Sequence, residues 1–347
     1  DRISGDIPDE MRDDVASLRA NIYPNLEWSE PAIPILEKLL KSKEYSALAA
    51  YNLGIAYLQG DLRESAHKQL ERAGRIKPKS DADAAIRDKA NLVLGALLLK
   101  EDQYNRALTY LNRVRLDGPF SNRALLSAGW ANMSMGQAEK AIVSWNVLAE
   151  RDATVRAVQE AMLALPYAYS QLGLHSQAAG YYARALNAYS REFDKLSQSI
   201  ASIQAGRFLY ALSRDETRKD EDWIVRLRSL PDAPETYYLL ELLASNDFQT
   251  GLENYLDLLD LRRRLADWSV RVVAHDASHE EALGRLSDKI EKTTAEVEDL
   301  IARQGQLLEK LATDELTARL RRLDSYANKA RFGLADSKDR VSREEQE

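Results

Sequence analysis

The sequence predicts an all-α chain: a solenoid of helix–turn–helix units, followed by long C-terminal antiparallel, coiled-coil-like helices. Three observations predict it. Small residues recur in the middle of amphipathic segments, at Ala66, Ala107, Ala141 and Ala178, separated by 41, 34 and 37 residues. Glycine and proline are scarce, 15 and 9 in 347 residues, whereas sheet folds spend both on turns. Beyond residue 247 the apolar positions fall in alternating steps of three and four.

Composition narrows the function classes. The chain is 45% apolar and 30% charged, which excludes a disordered polyelectrolyte. Acidic residues exceed basic ones by 55 to 48, a net charge of -7, which speaks against a chain built to grip phosphate backbones. There is no cysteine. That removes disulfides, thiolate zinc sites, iron–sulfur clusters and cysteine nucleophiles, and it suits an oxidising compartment. Starting at Asp1 without a signal-peptide pattern, the chain reads as a processed form, a trimmed one or only the ordered part, with an upstream signal or anchor left open. The uncharged stretch Ala161–Ala183 contains Pro166 and breaks at Gly173, so it reads as two soluble helices rather than a membrane span.

Residues 1–45 are expected to lead into the solenoid. Ile7-Pro8-Asp9 is compatible with a short helix start. Ser29-Glu30-Pro31 reads as a helix cap ahead of Ile35, Leu36, Leu39 and Leu40. Residues 46–190 hold about four repeats. Leu53, Gly54 and Tyr57 precede Ala66, with Leu70, Ala73 and Pro78 after it. Leu94, Gly95 and Leu98 precede Ala107, with Leu111 and Pro119 after it. Gly129 and Gly136 precede Ala141, with Trp145 after it. Leu165, Tyr169 and Gly173 precede Ala178, with Tyr182 and Ala185 after it. The glycines and alanines let paired helices approach, and the large residues fill the space between pairs. The spacings of 41 and 37 imply insertions in loops, and Pro166 should kink its helix or shift its start.

This pattern resembles the tetratricopeptide repeat (TPR), a helix–turn–helix unit. The segment Ala161–Leu196 with Leu230–Trp268 is also similar in general appearance to TPR proteins of the bacterial cell envelope. The resemblance implies that the first helix of each unit lines an inner face where a partner docks. Carried over, those positions are Tyr51 and Ile55 (with Leu48 and Leu58), Lys89 and Leu92 (with Ala96 and Leu99), Arg123, Leu126, Trp130 and Met133, and Tyr167 (with Leu163 and Ser170). Such an apolar, aromatic groove suits a helical or apolar peptide, with Trp130 and Tyr167 as anchors. It lacks the paired Lys and Asn clamp by which chaperone-binding TPR domains hold a C-terminal carboxylate. The competing reading is that the C-terminal helices fold back and cover the groove.

Residues 191–246 read as degenerate helical repeats. An amphipathic helix fits Glu192–Leu212, a charged loop Arg214–Asp222, and a turn Leu230–Pro234 before a helix from about Glu235. Residues 247–336 read as a helical hairpin. One seam runs from Tyr255 to Val273, and a heptad seam runs through Leu283, Leu286, Ile290, Thr293, Val297, Leu300, Gln304, Leu307 and Leu311. His275–His279 is the expected bend, a third helix is expected from about Asp314, and 337–347 is expected as a disordered tail.

No glycine-rich phosphate loop, nucleophile elbow or H-E-x-x-H motif is present in the sequence. His275 and His279, four apart, would share a helix face and could offer two nitrogens to a metal; the plainer reading is a polar bend. Arg262–Arg264 and Arg319, Arg321 and Arg322 lack interleaved aromatics and read as coiled-coil flanks rather than a nucleic-acid site. The sequence thus points to a non-catalytic protein-interaction scaffold without cofactor, placed in the periplasm or envelope. Its groove would take a segment of a protein partner, in a setting that includes a membrane-embedded envelope complex. Its C-terminal helices offer a route to a homo-oligomer. The alternatives are a metal-binding enzyme subunit using His275 and His279, or a cytoplasmic peptide-sensing regulator.

Overall fold

The computed structural model describes residues 32–42, 45–213, 234–273 and 280–345. Thirteen α-helices and no strand occur among these residues. Ile7-Pro8-Asp9, the Ser29 cap, the charged run 214–222, residues 230–233 of the turn and the His275–His279 bend lie outside the described residues, except that His279 is followed directly by the last helix. The chain divides into two compact units, one of residues 1–183 with 332–347, the other of residues 184–331.

The first unit is the solenoid. Its helices are α1 (Ala32–Leu39), α2 (Ser46–Gln59), α3 (Arg63–Gly74), α4 (Asp81–Lys100), α5 (Tyr104–Leu111), α6 (Ser121–Ser134), α7 (Ala138–Ala149), α8 (Arg156–Gln171) and the start of α9 (His175–Gln204). Ala66, Ala107, Ala141 and Ala178 are all fully buried. Five residues before each of them the backbone turns through the left-handed region: Asp61, Asp102, Gly136 and Gly173 have φ of 55°, 56°, 72° and 73°. A tight turn between antiparallel helices needs that conformation, which Gly adopts freely and Asp tolerates. Four residues after each alanine stand Leu70, Leu111, Trp145 and Tyr182, all buried.

Twelve residues before the first three alanines stand Gly54, Gly95 and Gly129. A Cβ at Gly54 would lie 2.6 Å from Leu70 Cγ, and one at Gly95 would lie 2.5 Å from Leu111 Cδ2. At Gly129 a Cβ would collide with the indole of Trp145. The glycines therefore receive the large side chain of the partner helix, and each Leu, wholly withdrawn from water, contributes about 1.5–3 kcal/mol. In the fourth repeat this position is Pro166. The helix α8 continues through it from Arg156 to Gln171, so the proline neither ends the helix nor moves its start inward. Ser170 Oγ donates to the Pro166 carbonyl at 3.1 Å.

The 41-residue spacing is not a loop insertion as expected; the extra residues lengthen a helix. α4 begins fourteen residues before Gly95, whereas α2 and α6 begin eight before Gly54 and Gly129. The added turns are capped by Ser80, whose Oγ accepts from Asp83 N at 3.1 Å, while Asp83 accepts from Lys79 N at 3.0 Å. Beyond the added turns, α4 also carries two buried polar residues that bond to the preceding and following elements. Asn91 Nδ2 donates to the Gly74 carbonyl at 2.9 Å, at the end of α3. Asp88, fully buried, accepts from Arg115 Nε at 2.6 Å and from Arg87 Nη2 at 3.1 Å.

The last turns of the chain belong to this unit. Phe332–Glu344 is helical, which overturns the expected disordered tail at least as far as Glu344. A Cβ at Gly333 would collide with the ring of Tyr182. Glu344 Oε1 lies 3.7 Å from the buried His175 Nε2.

The second unit contains the rest of α9, α10 (Arg207–Ser213), α11 (Pro234–Leu243), α12 (Asn246–Val273) and α13 (Glu280–Glu344) as far as Arg331. The helix expected at Glu192–Leu212 is part of α9, and it stops where Gly206 takes φ of 72° before α10. Buried Glu192 accepts from the Tyr238 hydroxyl at 2.6 Å and from Lys195 at 2.7 Å. Phe208 and Phe248 meet with ring centroids 6.2 Å apart.

α12 and α13 lie against each other near Gly251 and Gly305. Gln304 Nε2 donates to the Gly251 carbonyl at 3.0 Å. The third helix expected from Asp314 does not begin there: α13 runs unbroken for 65 residues. Its inward stripe also differs from the expected seam. Ile290, Val297, Gly305, Leu308, Ala312, Leu316 and Leu323 are buried, while Leu286, Leu300 and Leu307 are 44%, 47% and 50% exposed. Ile290, Ala312 and Leu323, with Val297, Leu308 and Ala330, follow an eleven-residue recurrence. That period, 3.67 residues per turn, keeps a stripe facing one way along a nearly straight helix, whereas a heptad would drift around it.

Candidate functional site

The site is built by the first helices of three successive repeats. Tyr51 and Leu58 come from α2, and Phe120 and Arg123 from the start of α6. The lengthened α4 supplies Lys89, Leu92, Val93, Ala96, Leu97 and Lys100. Together they line a half-open cleft of about 310 Å³. Its floor is apolar because the opposite side of each helix already packs into the repeat core: Tyr51 and Leu92 are buried, with Ile55, Leu58 and Val93 half-buried against the same cluster.

Lys89 holds its ammonium 5.0 Å from the centroid of the Tyr51 ring, a cation over an aromatic face. Burial pushes the Tyr51 hydroxyl above its ordinary pKa, and the positive charge of Arg123 pulls the other way. Both cations line the cleft together with this ring. Lys100 stands eleven residues, or three turns, further along α4. Among the described residues no carboxylate lines the cleft.

The structure brings together four of the nine residues singled out from the sequence: Tyr51, Lys89, Leu92 and Arg123. Ile55 lies beneath, packed against the core. Leu126 and Met133 are half-buried against the next cluster, around Trp145 and Leu148. Trp130 is 37% exposed, edge-to-face with Trp145 at 4.9 Å, and its Nε1 donates to Glu160 at 3.0 Å. Tyr167, on α8, is 43% exposed. These four residues lie outside the lining of the cleft. Val93, Leu97, Lys100 and Phe120 are lining residues that the repeat pattern did not pick. The i, i+4, i+7 steps from Lys89 through Val93 and Ala96 to Lys100 mark that face, rotated from the expected Leu92–Ala96–Leu99 line. Leu99 packs into the core instead.

The expected metal pair at His275 and His279 falls outside the described residues. Among the described residues no group of three or more His, Asp or Glu side chains is placed to hold a metal ion. Among them, too, no helix is long and apolar enough to cross a membrane. Ala161–Ala183 is split between α8 and α9 by the turn at Gly173.

The fold is an all-α, TPR-type helix–turn–helix solenoid that continues into long antiparallel helices. Among solved structures, it is similar to one described as MamA 41-end from Desulfovibrio magneticus RS-1, with 19% identity over 53% of this chain and 97% of that one, at a TM-score of 0.40. Two others are a MamA crystal structure, 19% identical over 53% and 94% of the chains at 0.42, and a structure described as MamA MSR-1 C2, 22% identical over 52% and 99% at 0.39. No family model and no curated protein matches the chain.

Proposed function

We propose that the chain is a non-catalytic protein-interaction scaffold whose cleft between α2, α4 and α6 receives a helical or apolar segment of a protein partner. The observation that carries this reading is the cleft itself: an apolar floor of about 310 Å³, rimmed by polar groups and lined by three successive repeats. A solenoid displays such a surface because each repeat buries only the faces turned to its neighbours. Association would come from burying the partner's apolar side chains on Tyr51, Leu92 and Leu97, with rim charges setting orientation. The described lining residues all fall between Tyr51 and Arg123, and none comes from the C-terminal turns that meet Tyr182.

We place this scaffold in the bacterial envelope, where a chain without cysteine avoids stray oxidation, and where it would organise a membrane-embedded assembly. Fractionation of the native protein tests the location; recovery in the cytosol rejects it. Binding of the partner segment is tested with Leu97→Ser and with the pair Trp130→Ala and Tyr167→Ala. Loss of binding in Leu97→Ser alone assigns docking to the cleft. Unchanged binding by a folded Leu97→Ser protein rejects the cleft as the docking site.

A further inference from the structure

Three cations border the apolar cleft: Lys89, Lys100 and Arg123. None of them is paired with a carboxylate among the described residues, and no acidic side chain joins them in the lining. This holds in a chain whose net charge is -7. A concave apolar wall lowers the effective dielectric beside these groups, so their field toward an occupant is stronger than on a flat, wet surface.

We propose that the occupant is an acidic amphipathic segment of a partner protein, its apolar side chains on the Tyr51–Leu92 floor and its carboxylates at the three cations. The proposal rests on the docking role of the cleft and adds the charge of what docks. The arrangement of the cations constrains the segment further. Lys89 and Lys100 are eleven residues apart on α4, about 16 Å along the axis. A helical occupant lying along α4 therefore places its terminal carboxylates about eleven residues apart, and an extended one about five.

The experiment selects 16-residue peptides from a random displayed library on the purified full chain. Winners are then measured as labelled synthetic peptides by fluorescence anisotropy. Winners with Asp or Glu flanking an apolar centre are expected. Their affinity should fall about tenfold or more in the triple variant Lys89→Glu, Lys100→Glu, Arg123→Glu, and similarly when their acids become Gln or Asn. Rising salt should weaken them, as it does contacts between exposed charges. Circular dichroism checks the fold, and a triple Gln variant replaces the reversal if that one unfolds. Neutral winners that bind through Leu97 and ignore the triple variant overturn the proposal but keep the cleft as a docking site. Winners indifferent to Leu97→Ser, or none at all, overturn both. Capture by phosphatidylserine vesicles through the three cations, without acidic peptides among the winners, overturns the proposal in favour of a lipid surface.

Discussion

Gly333 faces the ring of Tyr182 with no room for a Cβ between them. The relationship repeats, between distant parts of the chain, what Gly54 does for Leu70, Gly95 for Leu111 and Gly129 for Trp145 within single repeats. In the fourth repeat the corresponding glycine position is Pro166, and the aromatic ring is received by Gly333 near the end of α13. A terminal repeat exposes an apolar face unless something covers it, and here the C-terminal turns of the same polypeptide do so. Gly333→Ala should therefore loosen that end locally. Hydrogen exchange should accelerate over residues 332–344 and keep its wild-type rate over α2–α5. Unchanged exchange at 332–344 would show that the ring moves aside freely.

The same logic gives opposite signs for two other glycines. Gly129→Ala forces a methyl group into the Trp145 indole, which is fully buried. It should cost about 1–3 kcal/mol in a denaturant titration. Gly180 sits in α9 with open space where its Cβ would be. Gly180→Ala should stabilise by about 0.5–1 kcal/mol, the helix-propensity gain alone. Two changes of equal sign would mean that the repeat packs differently.

Asp88 has no exposure, and its two oxygens are held by Arg87 and Arg115. Asp88→Ala leaves Arg115, at the end of the second repeat, without its acceptor. The expected loss is about 2–4 kcal/mol, near the lower end for a broken buried pair because both arginines keep some contact with water. A double-mutant cycle with Arg115→Ala should return a coupling of the same order as the single loss; additive effects would dissolve the pair as a stabilising unit.

Alkaline pH should weaken the fourth repeat. Burial raises the Tyr182 hydroxyl above its ordinary pKa of about 10, and the negative charge of Asp336 adds to the rise. The unfolded chain then ionises this tyrosine first. Its neutral form is favoured by folding, so the contribution is complete below about pH 10 and is lost as pH climbs toward the folded value. Denaturant midpoints measured at pH 9 and pH 11 should separate more for the wild type than for Tyr182→Phe. Tyr51 and Tyr110 shift in the same direction, so part of the decline remains in the variant.

In the second unit, Tyr238→Phe removes the donor to buried Glu192. A hydrogen bond to a charged acceptor is worth about 1.5–3 kcal/mol, and that loss should appear in the unfolding free energy. Restoring stability with Glu192→Leu on top of Tyr238→Phe is expected, since the hydroxyl and carboxylate then leave together and the exposed Lys195 ammonium turns to water.

The sequence itself determined the repeat. The alanines, the glycines ahead of them and the large residues behind them are local signals, because each describes contacts between two helices joined by a three-residue turn. The resemblance to the tetratricopeptide repeat added the expectation that Tyr51, Lys89, Leu92 and Arg123 share one face of the stack. The tertiary structure decided the rest. It lengthened α4 instead of a loop, and it turned Val93, Leu97 and Lys100 to the cleft. It separated Trp130 and Tyr167 from the cleft. It turned the α13 stripe to an eleven-residue recurrence, and it gave Tyr182 its glycine from a position 151 residues away. Periodicity along a chain reports which side of a helix is apolar, but which of two apolar sides is covered depends on segments far away in sequence, and only their packing settles it.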